Sequence, residues 1–504
     1  MTDARSNPME NARDAAVAID KVSPSEATAD LEQWMNRQLC ASLDHMGKSI
    51  SAIGLTRRRE EFFQEITPRR GSVVASPTID ANVQPDYFFH WLRDSALVMN
   101  ALALAIERGY ANETACRHLQ DFVEFSLETN RLDGPARVAT KGVGETSRPE
   151  LARYLRSRRE LEAVVGERVL SEARFNPDGS LDILKWARPQ CDGPALRAST
   201  LLRHIPLFER GGAEPARELL RADLGFALGH IGDPCYDIWE HRFGHHYHTR
   251  VVSLAALTRG AAWARGAGQT AEAELYETAA CELRRQLDYH WRAEDGFYLS
   301  AIKATTTPAD VDLDSAIVLA VANAGLPNGR HSVLDPRVQS TLERLEDLFI
   351  SLFPINRSIG PGEVPLLGRF RGDGYFGGGV FLISALAAAE AYYRLARHIH
   401  VEGTLRVDDD NQRFLERCGL WELRGRGPEA VLREGDERRA VAALFRARGD
   451  SILKTLSRYT PPSGEMSEQL DKTSGEPSSA QNLAWSYAAF VSAFAAREKS
   501  LRAE

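Results

Sequence analysis

Residues 379–397 read GVFLISALAAAEAYYRLAR, and residues 480–497 read AQNLAWSYAAFVSAFAAR. Each segment has a helix-forming composition and is apolar almost all the way round the helix. Such a helix must be enclosed by other helices, because it has no polar face to turn toward water. The two segments therefore predict an all-α fold with an inner and an outer layer of helices.

The remaining chain supplies enough helical segments for such an outer layer. Apolar residues at helical spacing follow Asp94, and prolines at 194 and 215 mark the first turns of two further helices. Periodicity predicts more helices near 112–128, 149–166, 247–265, 270–290, 309–323, 336–352 and 436–457. No repeat of fixed length is present in the sequence, which disfavours a regular solenoid.

The N-terminal segment differs from the rest of the chain in composition. Residues 1–30 are rich in Ala, Asp, Ser and Glu and lack apolar periodicity, so they are predicted to form a flexible tail. Residues 31–504 are predicted to form a single domain. The N-terminus has no apolar core of the signal-peptide kind, and no apolar stretch is long enough to span a bilayer. The sequence thus predicts a cytoplasmic protein without a membrane partner.

Charge and cysteine content exclude several classes of function. The chain has 504 residues, of which 26% are charged, and a net charge of −8. This balance argues against a nucleic-acid partner, which requires a concentrated basic face, and suits an enzyme with an uncharged substrate. The six cysteines show no CxxC pairing, which favours free, mostly buried thiols over a zinc site or a disulfide framework.

A first candidate site is the segment PDYFFHWLRD at residues 85–94. Its aromatic residues, which include Tyr87, stand beside the adjacent pair Arg93 and Asp94. Pyranose rings pack their C–H faces on aromatic planes, and their hydroxyl pairs suit the bidentate groups of Arg and Asp. The alternative is an ordinary helix N-terminus with Asp94 as its cap and the aromatics in the core.

A second candidate is the segment CYDIWEHRFGHHYH at residues 235–248. Glu240 follows Trp239, and an apolar aromatic wall favours the protonated carboxyl group that a general acid needs. The four histidines also invite a metal-binding interpretation. Their spacing does not match an HExxH pattern, and the adjacent His245 and His246 would point apart on a helix or strand.

Three further loops carry aromatic, basic or acidic residues. In KWARPQCDGP at residues 185–194, Trp186 is either a stacking platform for a sugar or a core residue. GRFRGDGYFGGG at residues 368–379 contains a GxGxxG pattern, but no sequence typical of a buried strand precedes it, which disfavours a dinucleotide-binding site. The glycines are instead predicted to let the backbone come close to a pocket, in which Arg369 contacts the ligand. GEMSEQLDK at residues 464–472 contains Glu468. This segment is either part of a carbohydrate-binding pocket or a loop whose charges are solvated.

Taken in this order, the five segments resemble the glucoamylase family, glycoside hydrolase family 15, across residues 70 to 497. The clearest matching pieces are GSVVASPT…PDYFFHWLRDSALV, WARPQCDGPALRA, CYDIWEHRFG…HTRVVSLAAL, GRFRGDGYF and SEQLDKTSGEPSSAQNLAWSYAAF. The resemblance implies an (α/α)6 double-layered helical barrel with the active site in loops at one end. It also implies inverting, exo-acting hydrolysis of α-1,4 links, and more slowly α-1,6 links, that releases β-glucose from non-reducing ends. Neither a metal nor an organic cofactor is implied.

The resemblance also implies roles for individual residues. Glu240 takes the place of the general acid and Glu468 that of the general base, and inversion requires the two carboxyls to stand roughly 6.5–9.5 Å apart. Tyr87 lies near the catalytic water, and Asp237 has a supporting role. The remaining matches are substrate contacts: Arg93, Asp94, Trp186, the Ile238 carbonyl, Trp239, Arg369 and the Gln469 amide.

This sequence departs from the family pattern at three places. The second glutamate that usually follows the acid is His241, the usual Asn-Pro-Trp after Tyr375 is residues 378–380 (Gly-Gly-Val), and the usual arginine before Asp-Gly-Pro is Cys191. All three are expected to weaken the leaving-group side of the pocket. The alternatives therefore include an α-glucosidase acting on isomaltose-type or trehalose links. A non-catalytic carbohydrate-binding or regulatory protein on the same barrel, and a histidine-ligated metalloenzyme, are further alternatives.

Overall fold

The structure is a computed structural model that describes residues 26–79, 85–303, 313–360 and 362–502. Within these residues, six inner and six outer helices form a double-layered barrel. The inner helices are α2 (Leu92–Glu107), α4 (Asp192–Arg203), α6 (Tyr247–Gly266), α8 (Ala316–Ala324), α10 (Leu382–Glu402) and α12 (Ala484–Leu501). The outer helices are α1 (Glu26–Ser49), α3 (Glu113–Asn130), α5 (Ala213–Gly229), α7 (Thr270–Asp288), α9 (Pro336–Leu352) and α11 (Asp436–Ser457).

Helix contacts close the inner ring in the order α2, α4, α6, α8, α10, α12 and back to α2. Helices α3, α5, α7, α9 and α11 each pack outside the inner helix that comes before them along the chain, whereas α1 packs outside α12. Among the described residues, the first helix therefore completes the outer layer around the last one. The expected (α/α)6 barrel is confirmed.

The apolar composition of the inner helices explains their position. Helix α10 buries most of its length, from Leu382 to Ile399, and α12 is similarly buried from Ala484 to Ala496. Each fully apolar helix is covered on all sides by two inner neighbours and one outer helix. The outer helices are amphipathic: α3 turns Leu119 and Phe122 inward, as a one-sided apolar stripe predicts.

Two expectations at the sequence level need correction. Helix α1 begins at Glu26 and buries Leu31 and Met35, so residues 26–30, which were predicted to belong to the tail, are helical; residues 1–25 lie outside the described part. The helix predicted at 149–166 is two 3-10 segments, Pro149–Tyr154 and Gly166–Ser171, around the short helix Arg158–Glu162. Other short helices are Gly134–Lys141, Ile205–Phe208 and Gln412–Arg417.

Short antiparallel strands lie in the loops at the N-terminal ends of the inner helices. His90–Trp91 pairs with Arg174–Phe175, Val380–Phe381 pairs with Gln469–Leu470, and Cys235–Tyr236 pairs with Phe243–His246. These pairs fix the loops that carry the candidate residues. The other strands are Pro477–Ser478, Ala301–Ile302, Arg57–Arg59 with Gln64–Ile66, Trp291–Arg292 with Phe297–Tyr298, and Thr404–Arg406 with Glu429–Val431. No helix within the described ranges is both long and apolar enough to cross a membrane.

Candidate active site

A cavity of about 520 Å³ opens at the N-terminal ends of the inner helices. Both Glu240 and Glu468 line it, although they come from distant parts of the chain. Nine of the eleven residues predicted for the site line this one cavity: Tyr87, Arg93, Asp94, Trp186, Ile238, Trp239, Glu240, Arg369 and Glu468. The barrel thus brings together the candidate loops that the sequence could only list separately.

Glu240 lies in the tight turn between the strands Cys235–Tyr236 and Phe243–His246. Its φ of +62° is in the left-handed region that residues other than glycine rarely adopt. The carboxylate of Asp237 holds the turn by accepting hydrogen bonds from the backbone N–H groups of His241 (2.7 Å) and Arg242 (2.9 Å). Asp237 therefore positions the turn and does not line the cavity.

The carboxylate of Glu240 accepts four side-chain hydrogen bonds. The donors are the indole N–H groups of Trp91 (2.8 Å) and Trp186 (2.5 Å), the amide of Gln190 (2.8 Å) and the guanidinium of Arg93 (3.3 Å). Trp186 is thus placed beside Glu240. Trp91 and Gln190 were missed at the sequence level, because their contribution depends on loops that meet only in the folded barrel.

Trp239 lines the cavity together with Glu240. Its indole N–H donates to the carboxylate of Asp314, at 2.9 Å, and Arg242 donates to the same carboxylate at 3.3 Å. Burial raises the pKa of Asp314 to about 6. Asp314 also accepts from the backbone N–H of Ala316 at the start of α8, so it ties the Glu240 turn to an inner helix. An acidic residue just before an apolar helical run was the only sequence signal for it.

Glu468 precedes the strand Gln469–Leu470, and its backbone N–H donates to the carbonyl of Ala480 at 2.7 Å. Its carboxylate accepts hydrogen bonds from the hydroxyls of Tyr87, at 3.3 Å, and Ser479. Burial raises the pKa of Glu468 to about 7, and the hydrogen bond from Ser479 and the charge of Arg369 oppose this rise. Glu468 is therefore a buried carboxyl with hydroxyl neighbours and is not part of a solvated loop.

Gln469 does not line the cavity, contrary to expectation. It is fully buried, and its amide accepts from the Gly379 N–H at 3.0 Å and donates to the Tyr375 carbonyl at 3.2 Å. Side chains alternate between the two faces of a strand, so Gln469 points away from the face on which Glu468 lies. Its role in this structure is to hold the glycine-rich loop.

Arg93 and Asp94 form a charged wall at the start of α2. Arg93 donates to Asp192 and to Gln190, each at 3.0 Å, and its Nε atom, 3.8 Å from Asp94, is buried without a hydrogen-bond partner. Burial raises the pKa of Asp94 to about 7. This wall offers a donor and an acceptor to a hydroxyl pair.

Arg369 occupies the opposite loop and pairs with Asp373, with its Nε atom 2.7 Å from Oδ2. Its guanidinium lies 4.9 Å from the centre of the Tyr375 ring. The hydroxyls of Tyr375 and Tyr87 are 2.6 Å apart, so this loop also reaches the neighbours of Glu468. The glycine-rich segment forms one wall of the pocket, as predicted.

The three departures from the family pattern lie in different places. His241 lines the cavity, with its ring stacked 6.2 Å from that of Phe370. A Cβ atom on Gly379 would lie 2.2 Å from the Leu470 carbonyl oxygen, so this position requires glycine. Cys191 does not line the cavity and packs against Cys235, Leu170 and Phe226; the expectation that it weakens the leaving-group side is not supported.

Two of the histidines of residues 241–248 contact different groups. His246 bonds to the carbonyl of Cys235 at 3.0 Å, and Nδ1 of His248 lies 3.5 Å from Asp192. In the part of the chain that the structure describes, His, Cys, Asp and Glu side chains form no group suited to hold a metal ion.

Comparison with known proteins gives a consistent family assignment. The sequence matches the glycosyl hydrolases family 15 over residues 60–495. Glucoamylase-1 of Schizophyllum commune is 28% identical over 85% of this chain and 69% of that protein. The intracellular sporulation-specific glucoamylase of Saccharomyces cerevisiae is 27% identical over 94% of this chain and 85% of that protein.

Solved structures share the fold. The glucoamylase of Saccharomycopsis fibuligera aligns with a TM-score of 0.76 at 21% identity, over 96% of this chain and 98% of that one. The family 15 glucoamylase of Hypocrea jecorina aligns with a TM-score of 0.75 at 24% identity, over 93% and 72%. With the family match extending over most of the sequence, the chain belongs to glycosyl hydrolase family 15 and is a glycoside hydrolase.

Proposed function

We propose that the protein is an inverting, exo-acting glucan 1,4-α-glucosidase that releases β-glucose from the non-reducing ends of α-glucans or maltooligosaccharides. The observation that carries the proposal is the meeting of Glu240 and Glu468 in one cavity. Glu468 takes a proton from a water molecule whose oxygen attacks the anomeric carbon. The bond from that carbon to the glycosidic oxygen breaks, and the oxygen takes a proton from Glu240.

The charged wall supports recognition of a terminal glucose. Arg93 and Asp94 lie at the start of α2, and Arg369 lies across the cavity. Each offers hydrogen-bonding groups at the spacing of neighbouring hydroxyls. Because the inner helices close the barrel beneath them, a sugar chain enters this cavity by its end.

Exposure supports the division of roles between the two glutamates. Trp186 is 38% exposed and donates to Glu240, and the neighbouring His241 is also exposed. Glu468 lies deeper, beside the hydroxyls of Tyr87 and Ser479. The leaving part of the substrate extends to solvent and so passes Glu240, which suits an acid. A water molecule retained beside Glu468 suits a base.

The protonation of the free site places a condition on this mechanism. The four contacts to Glu240 are all N–H donors, which suit a carboxylate. Burial raises the pKa of Glu468 to about 7, so this carboxyl holds a proton at acidic pH. Because the proposed base works when ionised, the active form requires that Glu468 has lost this proton.

Two truncations test which glutamate is the acid. We expect Glu240→Ala to lose most activity on maltotriose, by about 10³-fold or more, but to retain much of it on an aryl α-glucoside, whose leaving group needs no protonation. Glu468→Ala should lose activity on both substrates. Added azide should restore turnover in Glu468→Ala by replacing the activated water, with glucosyl azide as the product.

The opposite pattern, with azide rescue confined to Glu240→Ala, would show that the two roles are exchanged. Near-wild-type turnover of maltotriose by either variant would end the proposal. NMR of the first glucose released by the wild type should show the β anomer, and release of the α anomer would exclude inversion. Ser126→Ala changes a buried serine on outer helix α3 that does not line the cavity, so it is the matched control and should keep full activity.

The leaving-group side of the cavity favours a second candidate, a related α-glucosidase for other linkages. On this side, the rings of His241 and Phe370 stack on each other. The substrate meets the imidazole nitrogens of His241 where the family pattern has a carboxylate. Comparing kcat/KM for maltose, isomaltose, trehalose and soluble starch separates the two candidates, because a preference for isomaltose or trehalose over maltose would favour the second.

A further inference from the structure

A second cleft, of about 1060 Å³, lies away from the active-site cavity and shares no lining residue with it. One wall is the hairpin formed by the strands Arg57–Arg59 and Gln64–Ile66. The other walls come from residues 137–145 and 178–183. The hydrolytic mechanism uses none of these residues.

Phe63 stands at the tip of the hairpin with 67% of its surface exposed. Its φ of +52° lies in the left-handed region, which bulky residues rarely adopt. Its neighbours Phe62 and Ile66 are buried, and its backbone N–H donates to the Glu60 carbonyl at 3.2 Å. The chain therefore holds an apolar ring out in water in a strained conformation, which protein stability alone does not explain.

The charged side chains around this ring balance one another. Three acidic and three basic residues line the cleft: Glu65, Glu145, Asp178, Arg137, Lys141 and Arg158. A polyanion or a polycation gains little from such a surface, whereas a neutral ligand rich in hydroxyl groups finds both donors and acceptors. Gln64 also lines the cleft, and its Oε1 atom is buried without a hydrogen-bond partner.

We propose that this cleft is a second carbohydrate-binding site, in which the ring of Phe63 stacks on the C–H face of a pyranose in an α-glucan chain. The inference rests on the proposed function, since the chain held here is polymeric substrate. Binding at a distance from the catalytic cavity raises the local concentration of chain ends without touching the chemistry. Short oligosaccharides, which cannot reach both sites, gain nothing from it.

The test variant is Phe63→Asn, because asparagine tolerates the left-handed backbone and removes the ring. The matched control is Tyr289→Asn, which removes an aromatic side chain that is 62% exposed and lies outside the cleft. Affinity electrophoresis in gels containing glycogen measures polymer binding directly. We expect Phe63→Asn to bind glycogen roughly tenfold more weakly, as the loss of one aromatic contact predicts, with the control unchanged.

Kinetics separate this inference from the proposed function. Phe63→Asn should hydrolyse maltotriose like the wild type but show a raised KM for glycogen. If maltotriose is hydrolysed and the variant still binds glycogen like the wild type, the second site is excluded while the enzymatic proposal stands. If no protein releases glucose, the enzymatic proposal fails, and gel retardation still decides the binding site. Equal retardation in gels of a β-linked cellulose ether would show that the cleft does not select α-glucans and would overturn the proposed ligand.

Discussion

Glu240 combines a left-handed backbone with four hydrogen bonds to its carboxylate. The strain at this residue is maintained because Asp237 bonds to the backbone on the far side of the turn. Glu468 has a different environment, since its neighbours are hydroxyl groups and its carboxyl is buried. Two residues of the same type therefore acquire different chemistry from their surroundings.

Ser479 should set the pH dependence of the proposed base. Its hydroxyl donates to Glu468 and lowers a pKa that burial has raised to about 7. Because the base works when ionised, kcat/KM should rise as the pH increases through that pKa. In Ser479→Ala the lost donor raises the pKa further, so the ascending limb should move to higher pH by on the order of one unit. An unmoved limb, measured beside the Ser126→Ala control, would exclude this positioning role.

The strand pair Val380–Phe381 with Gln469–Leu470 holds the glycine-rich loop at residues 372–379 in place. Gly379 approaches the Leu470 backbone so closely that no side chain fits, and Gln469 bonds to its N–H. The same strand presents Glu468 to the cavity. Loop conformation and the position of the proposed base are therefore coupled through one short sheet.

Gly379→Ala should lower stability and activity together. The added methyl group would meet the backbone carbonyl of Leu470 at 2.2 Å, so the two strands must separate, at a cost of about 1–3 kcal/mol or more. Thermal unfolding should show a lower Tm, and kcat on maltotriose should fall because Glu468 moves with its strand. Gly374→Ala is the control in the same loop, since its φ is −108° and its Cβ meets no atom within 4 Å. Equal Tm values for the two variants would contradict this account.

At the scale of the whole molecule, ion pairs buried between the two helix layers fix their register. Arg197 on inner helix α4 and Asp223 on outer helix α5 have no exposed surface, and their closest atoms are 2.7 Å apart. Arg197 also donates to Asn130 on α3, at 3.1 Å. This pair therefore joins three helices of the barrel.

Asp223→Ala should destabilise the fold by about 3–5 kcal/mol, because Arg197 would remain buried without its partner. Chemical denaturation measures this loss. The double variant Arg197→Met with Asp223→Leu should recover much of it, since no charge is then left buried. Glu162→Ala, which breaks the exposed pair with Arg158, should change stability by less than about 1 kcal/mol. A comparably small effect of Asp223→Ala would contradict the structural role assigned to the buried pair.

The all-α class and the buried position of two inner helices follow from amino-acid composition alone. Residues 379–397 and 480–497 have no polar face, and burial on all sides is the only arrangement that removes their apolar surface from water. The sequence also located the loops that could carry catalytic or binding residues, because aromatic, acidic and glycine residues cluster there. The prediction of one helix at 149–166 was wrong, because tertiary packing overrides the local periodicity there and the segment folds as short turns.

Tertiary structure alone decided which side chains meet. Trp91, Gln190, Asp314 and Ser479 reach the two glutamates or their turn only because the N-terminal ends of the inner helices converge. It also placed Gln469 behind the pocket wall and Cys191 outside the cavity. The physical reason is that helix formation depends on neighbours three or four residues apart, whereas these contacts join residues far apart in sequence, whose positions are fixed only when the barrel closes.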